Sequence, residues 1–186
     1  MSRRLAREAV FKALFQVDVG DIYPGKALKY ALEELQLKKE EISFVEELFE
    51  GAIKEIENLN RLITDNLVRW TLERIASVDR CILRMALYEI LHMPDIPPAV
   101  SINEAVELGK EYGDVDSSSF INGVLDGVVK EKEQKQEKEQ EQAKEQEQKK
   151  EQEQKKDDKN DDIIKDKTTE EETPDNKHFQ ERGNKR

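Results

Sequence analysis

The stretch Ser101–Asp126, SINEAVELGKEYGDVDSSSFINGVLD, decides the fold class. In its first half Ile102, Ala105, Val106, Gly109 and Tyr112 recur at three- and four-residue steps, the spacing of one buried helix face. Gly113 is expected to stop that helix in the left-handed conformation that glycine tolerates, and Asp116 to cap the next one. The period then resumes through Phe120, Ile121, Val124, Leu125, Val128 and Val129. The pattern is a helical hairpin with a polar joint rich in serine.

The same period runs outward to the N-terminus. A first helix is expected from Arg3 to Val17, burying Ala6, Ala9, Val10, Ala13, Leu14 and Val17. A turn at Gly20–Gly25 leads to a short helix from Lys26 to about Leu37. Glu40–Asn66 then reads as one long helix on Ile42, Val45, Phe49, Ala52, Ile53, Ile56, Leu59 and Ile63, with its carboxylates on the solvated face. Trp70–Ile75 reorients the chain. Ser77 is a candidate cap for a central helix that is apolar on much of its circumference (Val78 to Leu91) and is ended by Pro94. Alternating apolar runs bounded by hairpin turns are missing, so the expected class is all-α, with about seven helices.

Composition divides the 186 residues. Nearly all apolar residues precede Lys130, so residues 1–130 read as one domain and residues 131–186 as a low-complexity Glu/Lys/Gln/Asp tail, largely disordered. The domain carries 16 Lys or Arg against 23 Asp or Glu, and the tail 15 against 19, within a net charge of −11. Such a chain repels polyanions in general, so any nucleic-acid contact must come from a local basic patch. Cys81 is the only cysteine, which excludes an internal disulfide, suits a reducing compartment and reads as a core residue. No apolar run reaches the roughly 18–20 residues of a membrane span, and the expected location is cytoplasmic.

Residues for catalysis are missing. His92 and His178 are too few and too far apart for a metal site, and neither a P-loop nor a G-x-G-x-x-G cradle is present. No enzyme, cofactor, metal or small-molecule substrate is expected. Three arginines in the first turns of the first helix (Arg3, Arg4, Arg7) oppose the helix dipole, so they suggest an anion-binding patch. A pair of Arg4 with Glu8 on a solvated helix start is the plainer alternative. Single-stranded RNA is commonly held by arginines on phosphates and aromatic rings on bases. The candidates are those three arginines, Arg80 and Arg84 one turn apart, and Tyr112 and Phe120 at the joint, although periodicity alone reads both rings equally well as core.

The segments RRLAREAVFKALFQ, DRCILRMALYEIL and INEAVELGKEYG with SSSFINGVLD resemble, in that order over residues 3–129, the NusB family of bacterial transcription antitermination factors. The resemblance implies two packed helical bundles and a non-enzymatic role. It implies a partner, the small ribosomal-subunit protein NusE, and joint binding of boxA RNA within the RNA polymerase antitermination complex, notably in ribosomal RNA operons. It places Arg3, Arg4, Arg7, Arg80, Arg84, Tyr112, Asp116, Ser118 and Phe120 at the RNA, and Phe15, Glu73 and Asp79 at NusE. Leu5 stands where a longer arginine run is often seen and Ser119 where a lysine can occur, which softens the basic patch, and the overall acidity of the chain predicts weak RNA binding alone. A helical protein-interaction module without RNA contact is the alternative, and the residues leave monomer and homodimer both open.

Overall fold

Helix α5, Ser77–His92, is the element on which the others pack. Every residue from Cys81 to Leu87 is buried, so the helix is covered on all sides, as its continuous apolar run requires. The computed structural model describes residues 3–34, 39–67 and 71–141. Before α5 come α1 (Arg3–Gly20), α2 (Pro24–Glu34), α3 (Lys39–Lys54), α4 (Ile56–Asp65) and a 3₁₀ turn at Leu72–Arg74. After it come α6 (Pro98–Tyr112) and α7, which starts at residue 117. The described residues thus form seven α-helices and no strand. The expected extension of α2 to Leu37, Trp70, and the tail beyond residue 141 lie outside the described residues.

Contacts divide the chain into Met1–Lys135 and Gln136–Arg186. In the first unit, α1, α2 and α3 pack as one bundle and α4, α5 and α6 as the other, with α5 lying against both α1 and α3; α7 joins the second where Ile121 closes on Gly109 of α6. The core is continuous from Ala6, Val10 and Leu14 through Val45, Leu48 and Phe49 to Ile82, Leu83, Leu108, Ile121 and Leu125. The described residues of the second unit, 136–141, are helical.

Three local expectations change. The long helix expected over 40–66 is two helices: Glu55, at φ −94° and ψ 11°, interrupts it. The bonds Glu55 N–H to Gly51 C=O (3.0 Å) and Leu59 N–H to Glu55 C=O (2.9 Å) carry the chain past the break, so the apolar period survives and hides it. Ser77 is the first helical residue rather than the cap, a position held by Ala76. Gly113 is extended, at φ −98° and ψ −172°, not left-handed. Its glycine is needed for space: a Cβ there would lie 2.4 Å from Ser117 Oγ and 2.8 Å from the Gly109 carbonyl oxygen. The hairpin joint is therefore folded back tightly on the end of α6.

Candidate nucleic-acid interface

The three arginines of α1 separate by burial. Arg7 is 3% exposed. It donates through Nε and Nη2 to the two carboxylate oxygens of Glu89, both at 2.8 Å, and Glu104 lies 3.7 Å from its Nη1. Glu89, 1% exposed, also accepts from Ser101 Oγ at 2.5 Å. A fork-shaped pair of this kind satisfies a guanidinium without solvent. Arg7 is thus a tie between α1, α5 and α6 and is not displayed for a phosphate. Arg3 is exposed and sits 5.0 Å over the Phe44 ring, which Arg7 also faces at 5.6 Å. Arg4 faces outward toward α6, with Nη2 3.2 Å from Glu111 Oε2. It does not form the pair with Glu8 allowed by the spacing, because Glu8 is taken by Lys12 (2.7 Å) and by the Tyr112 hydroxyl (2.5 Å).

Arg80 and Arg84 are likewise used inside the fold. Asp18, near the end of α1, accepts from Arg80 Nη2 at 2.5 Å and from Arg84 Nη1 at 2.6 Å. Arg84 Nε donates to Asn60 of α4 at 2.7 Å, and Arg80 Nη1 donates to the carbonyls of Leu72 and Ile75, each at 3.3 Å. Burial works against ionising Asp18, but the hydrogen bonds and charges of the two arginines outweigh it and hold the carboxyl below its ordinary range. The expected exposed basic pair is therefore a clamp joining α1, α4, α5 and the 3₁₀ turn.

Tyr112 is half-buried, its ring 5.1 Å from that of Phe11 and beneath Lys12 Nζ at 5.7 Å. Its hydroxyl is pushed up to about 12, first by the hydrogen bond to Glu8 and then by burial. The same contact, after that with Lys12, helps hold Glu8 below its ordinary range. These contacts lay the first half of α1 along the last turn of α6, which places Arg4 and Lys12 next to the residues that open the joint. Lys12 was missing from the expected site: its partner Glu8 lies one turn away, but only Tyr112, 100 residues on, shows which surface the pair faces.

At the joint, Val115 is 93% exposed, Ser117 is buried, and Ser118 and Phe120 are half-buried. Asp114 N–H donates to Ser117 Oγ at 2.9 Å, and Ser119 Oγ donates to the Asp116 carbonyl at 3.0 Å. A cleft of about 320 Å³ opens between this joint and the start of α5, lined by Arg74, Asp79, Asp114, Asp116, Ser117 and Phe120 among others. Residues assigned separately to RNA (Asp116, Phe120) and to a protein partner (Asp79) thus share one cleft. Glu73 is exposed beside it, and Phe15 is half-buried, 6.3 Å from Phe11.

Asp79 is 7% exposed and its Oδ1 has no partner among the described residues. Burial raises its pKa and the charge of Asp114 adds to the rise, while a hydrogen bond from Ser117 opposes it. A carboxylate so placed weakens the fold at neutral pH. Asp79→Asn is expected to raise stability at neutral pH by about 1 kcal/mol, the scale of an unsatisfied buried polar group. The raised pKa means that this gain shrinks as pH falls and Asp79 itself takes up a proton. Urea titrations at neutral and acidic pH measure it, and a loss of stability in the variant would contradict it.

Among the described residues no group of His, Cys, Asp and Glu is placed to hold a metal. Cys81 is fully buried and burial pushes its thiol up to about 12, so it is not a nucleophile. No helix among the described residues is long and apolar enough to cross a membrane.

Comparison with known proteins shows the family and the fold. The NusB family pattern matches residues 4–130. The transcription antitermination protein NusB of Bacillus subtilis (strain 168) is 45% identical over 134 residues, covering 72% of this chain and 99% of that protein. The corresponding protein of Pelotomaculum thermopropionicum is 46% identical over 134 residues, covering 72% and 93%. Among solved structures, T. maritima NusB superposes with a TM-score of 0.67 at 39% identity, covering 70% of this chain and 92% of that one. A chain from a complex of the antitermination factors NusB and NusE with double-stranded RNA gives 0.64 at 29% identity, covering 69% and 96%.

Proposed function

Because the chain belongs to the NusB family of transcription antitermination proteins, we propose that it acts without catalysis as a cytoplasmic adaptor. With NusE it binds boxA-type single-stranded RNA and promotes read-through by RNA polymerase, notably in ribosomal RNA operons. Residues 1–130 carry this role. The observation that supports it most is the meeting of Arg4 and Lys12 of α1 with Tyr112 and the serine-bearing joint of the α6–α7 hairpin, because these residues combine cations, hydroxyls and an aromatic ring on one surface. The related complex that contains NusE holds duplex RNA. The preference for single strands rests here on Phe120, a half-buried ring of the kind that stacks on unpaired bases.

NusE is assigned to Asp79, Glu73 and Phe15, where carboxylates suit a basic ribosomal protein. The acidic chain alone binds RNA weakly, and NusE supplies the missing positive field, so the complex is tighter and salt-sensitive. The internal use of Arg7, Arg80 and Arg84 favours one alternative, a protein-interaction module that touches no RNA.

Fluorescence anisotropy with labelled boxA RNA, with and without NusE, separates the two. Arg4→Ala is expected to weaken RNA binding by the NusE complex about five- to tenfold, a single charge-assisted contact, and to leave NusE binding unchanged. Equal RNA affinity in the variant would favour the protein-only alternative. Equal binding to a duplex competitor would remove the single-strand preference.

A further inference from the structure

We propose that Glu111 is an internal competitor for RNA phosphate: in the free chain it occupies the Arg4 guanidinium, and RNA binds there only by displacing it. The inference rests on the reading of Arg4 as a phosphate contact. Three cations line the ridge where α1 meets α6, and each is matched by a carboxylate: Arg4 by Glu111 at 3.2 Å, Lys12 by Glu8 at 2.7 Å, and Lys110 by Glu107 at 2.6 Å. Each of the three pairs is therefore neutral as it stands. A phosphate gains a contact on the ridge only by exchange.

The three carboxylates differ in how firmly they are held. Glu8 is fixed twice, by Lys12 and by the Tyr112 hydroxyl. Glu107 is held by Lys110, one turn along its own helix, in a pair as exposed as that of Arg4 and Glu111, and it also feels the charge of Arg4. Glu111 has Arg4 as its ion-pair partner, and both side chains are close to half-exposed, at 47% and 42%. An exposed pair of this kind is weak and exchanges readily. Of these carboxylates Glu111 sits directly on the Arg4 guanidinium, so its swing into water leaves Arg4 to another anion. It remains on the last turn of α6, next to Tyr112, so its charge continues to repel the phosphate that displaced it.

The exchange affects salt dependence as well as affinity. When phosphate replaces Glu111, the freed carboxylate gathers cations from solution and offsets part of the counterion release that drives binding. Removing the carboxylate should therefore tighten binding and steepen its dependence on salt. A unit charge a few ångströms away in a near-aqueous dielectric corresponds to about a three- to fivefold change in affinity.

The test measures affinity of the NusE complex for boxA RNA over a salt series in the wild type, Glu111→Gln, Arg4→Ala, the double variant, and Glu57→Gln. The last makes the same change in net charge on α4. Glu111→Gln is expected to bind about three- to fivefold tighter at low salt, with a steeper salt slope of up to about 0.7 per phosphate gained. The gain should vanish in the Arg4→Ala background, and Glu57→Gln should stay near wild type. An unchanged or weaker Glu111→Gln complex overturns the inference, as does a gain that persists without Arg4 or is matched by Glu57→Gln. If Arg4→Ala alone leaves affinity untouched, the placement of RNA at this ridge fails as well, which distinguishes the two failures.

Discussion

Arg7→Ala is expected to destabilise the folded domain by about 3–5 kcal/mol, the cost of leaving a buried charge without its partner. For a domain of this size that is a fall in melting temperature of roughly 10–20 °C. The charge left behind is Glu89, 1% exposed, whose remaining hydrogen-bond donor is Ser101 Oγ. The loss is large because the pair is bidentate and sits where α1, α5 and α6 meet, so no water replaces the guanidinium without opening the interface. Glu89→Ala should cost a similar amount. Replacing both by apolar residues of like volume, Arg7→Met with Glu89→Leu, should recover most of it, because the desolvation of both charges disappears together. Thermal and urea unfolding of the three variants measures this. A loss below about 1 kcal/mol in Arg7→Ala would show that the pair contributes no more than a surface bridge does.

The same variant separates structure from recognition at α1. If Arg7 contacts RNA as the resemblance implied, a well-folded Arg7→Met/Glu89→Leu protein should bind RNA poorly. If it is only a tie, that protein should bind as well as the wild type, and Arg4→Ala should carry the loss. The burial of Arg7, beside the exchangeable pair of Arg4, favours the second outcome.

Much of the architecture was legible because it depends on local periodicity. The stripe Ala6, Ala9, Val10, Ala13 and Leu14, the apolar circumference of α5, and the Ile121–Val124–Leu125–Val128 face of α7 all appear as buried helix faces. What periodicity could not reveal depends on partners far away in the chain. Arg4 and Arg7 are three residues apart in one helix turn, yet Glu89, 82 residues on, takes Arg7 into the core, while Glu111, 107 residues on, meets Arg4 at the surface. Nothing in the local period marks Asp18, and only the fold shows that it receives two arginines from α5. Gly113 was recognised as necessary for the wrong reason: a close approach by Ser117 requires it, not a left-handed turn. The candidate site was half legible. Its aromatic and serine residues share a continuous stretch of sequence, but which cations remain available to a ligand is a tertiary property.

That tertiary distribution of charge also underlies the second large effect. Asp18→Ala is expected to cost about 3–4 kcal/mol at neutral pH, because it removes the only carboxylate that Arg80 and Arg84 share among the described residues. Arg84, whose side chain is 7% exposed, would keep Asn60, and Arg80 would keep carbonyls and Ser77, none of which carries charge. The effect should depend on pH in a known direction. Asp18 has a folded pKa below the unfolded value of about 3.9. Its contribution is therefore complete above that value and is lost as pH falls through the folded pKa. The gap in unfolding free energy between wild type and Asp18→Ala should be widest near neutrality and close below about pH 4, the ordinary range for an aspartate. Asp79 acts oppositely: its raised pKa penalises the fold as pH rises, so acid relieves one carboxylate while it disarms the other. Denaturant titrations of wild type, Asp18→Ala and Asp79→Asn at several pH values resolve the two. A gap for Asp18→Ala that stays constant into acid would mean that the clamp holds through packing of the arginine stems rather than through charge.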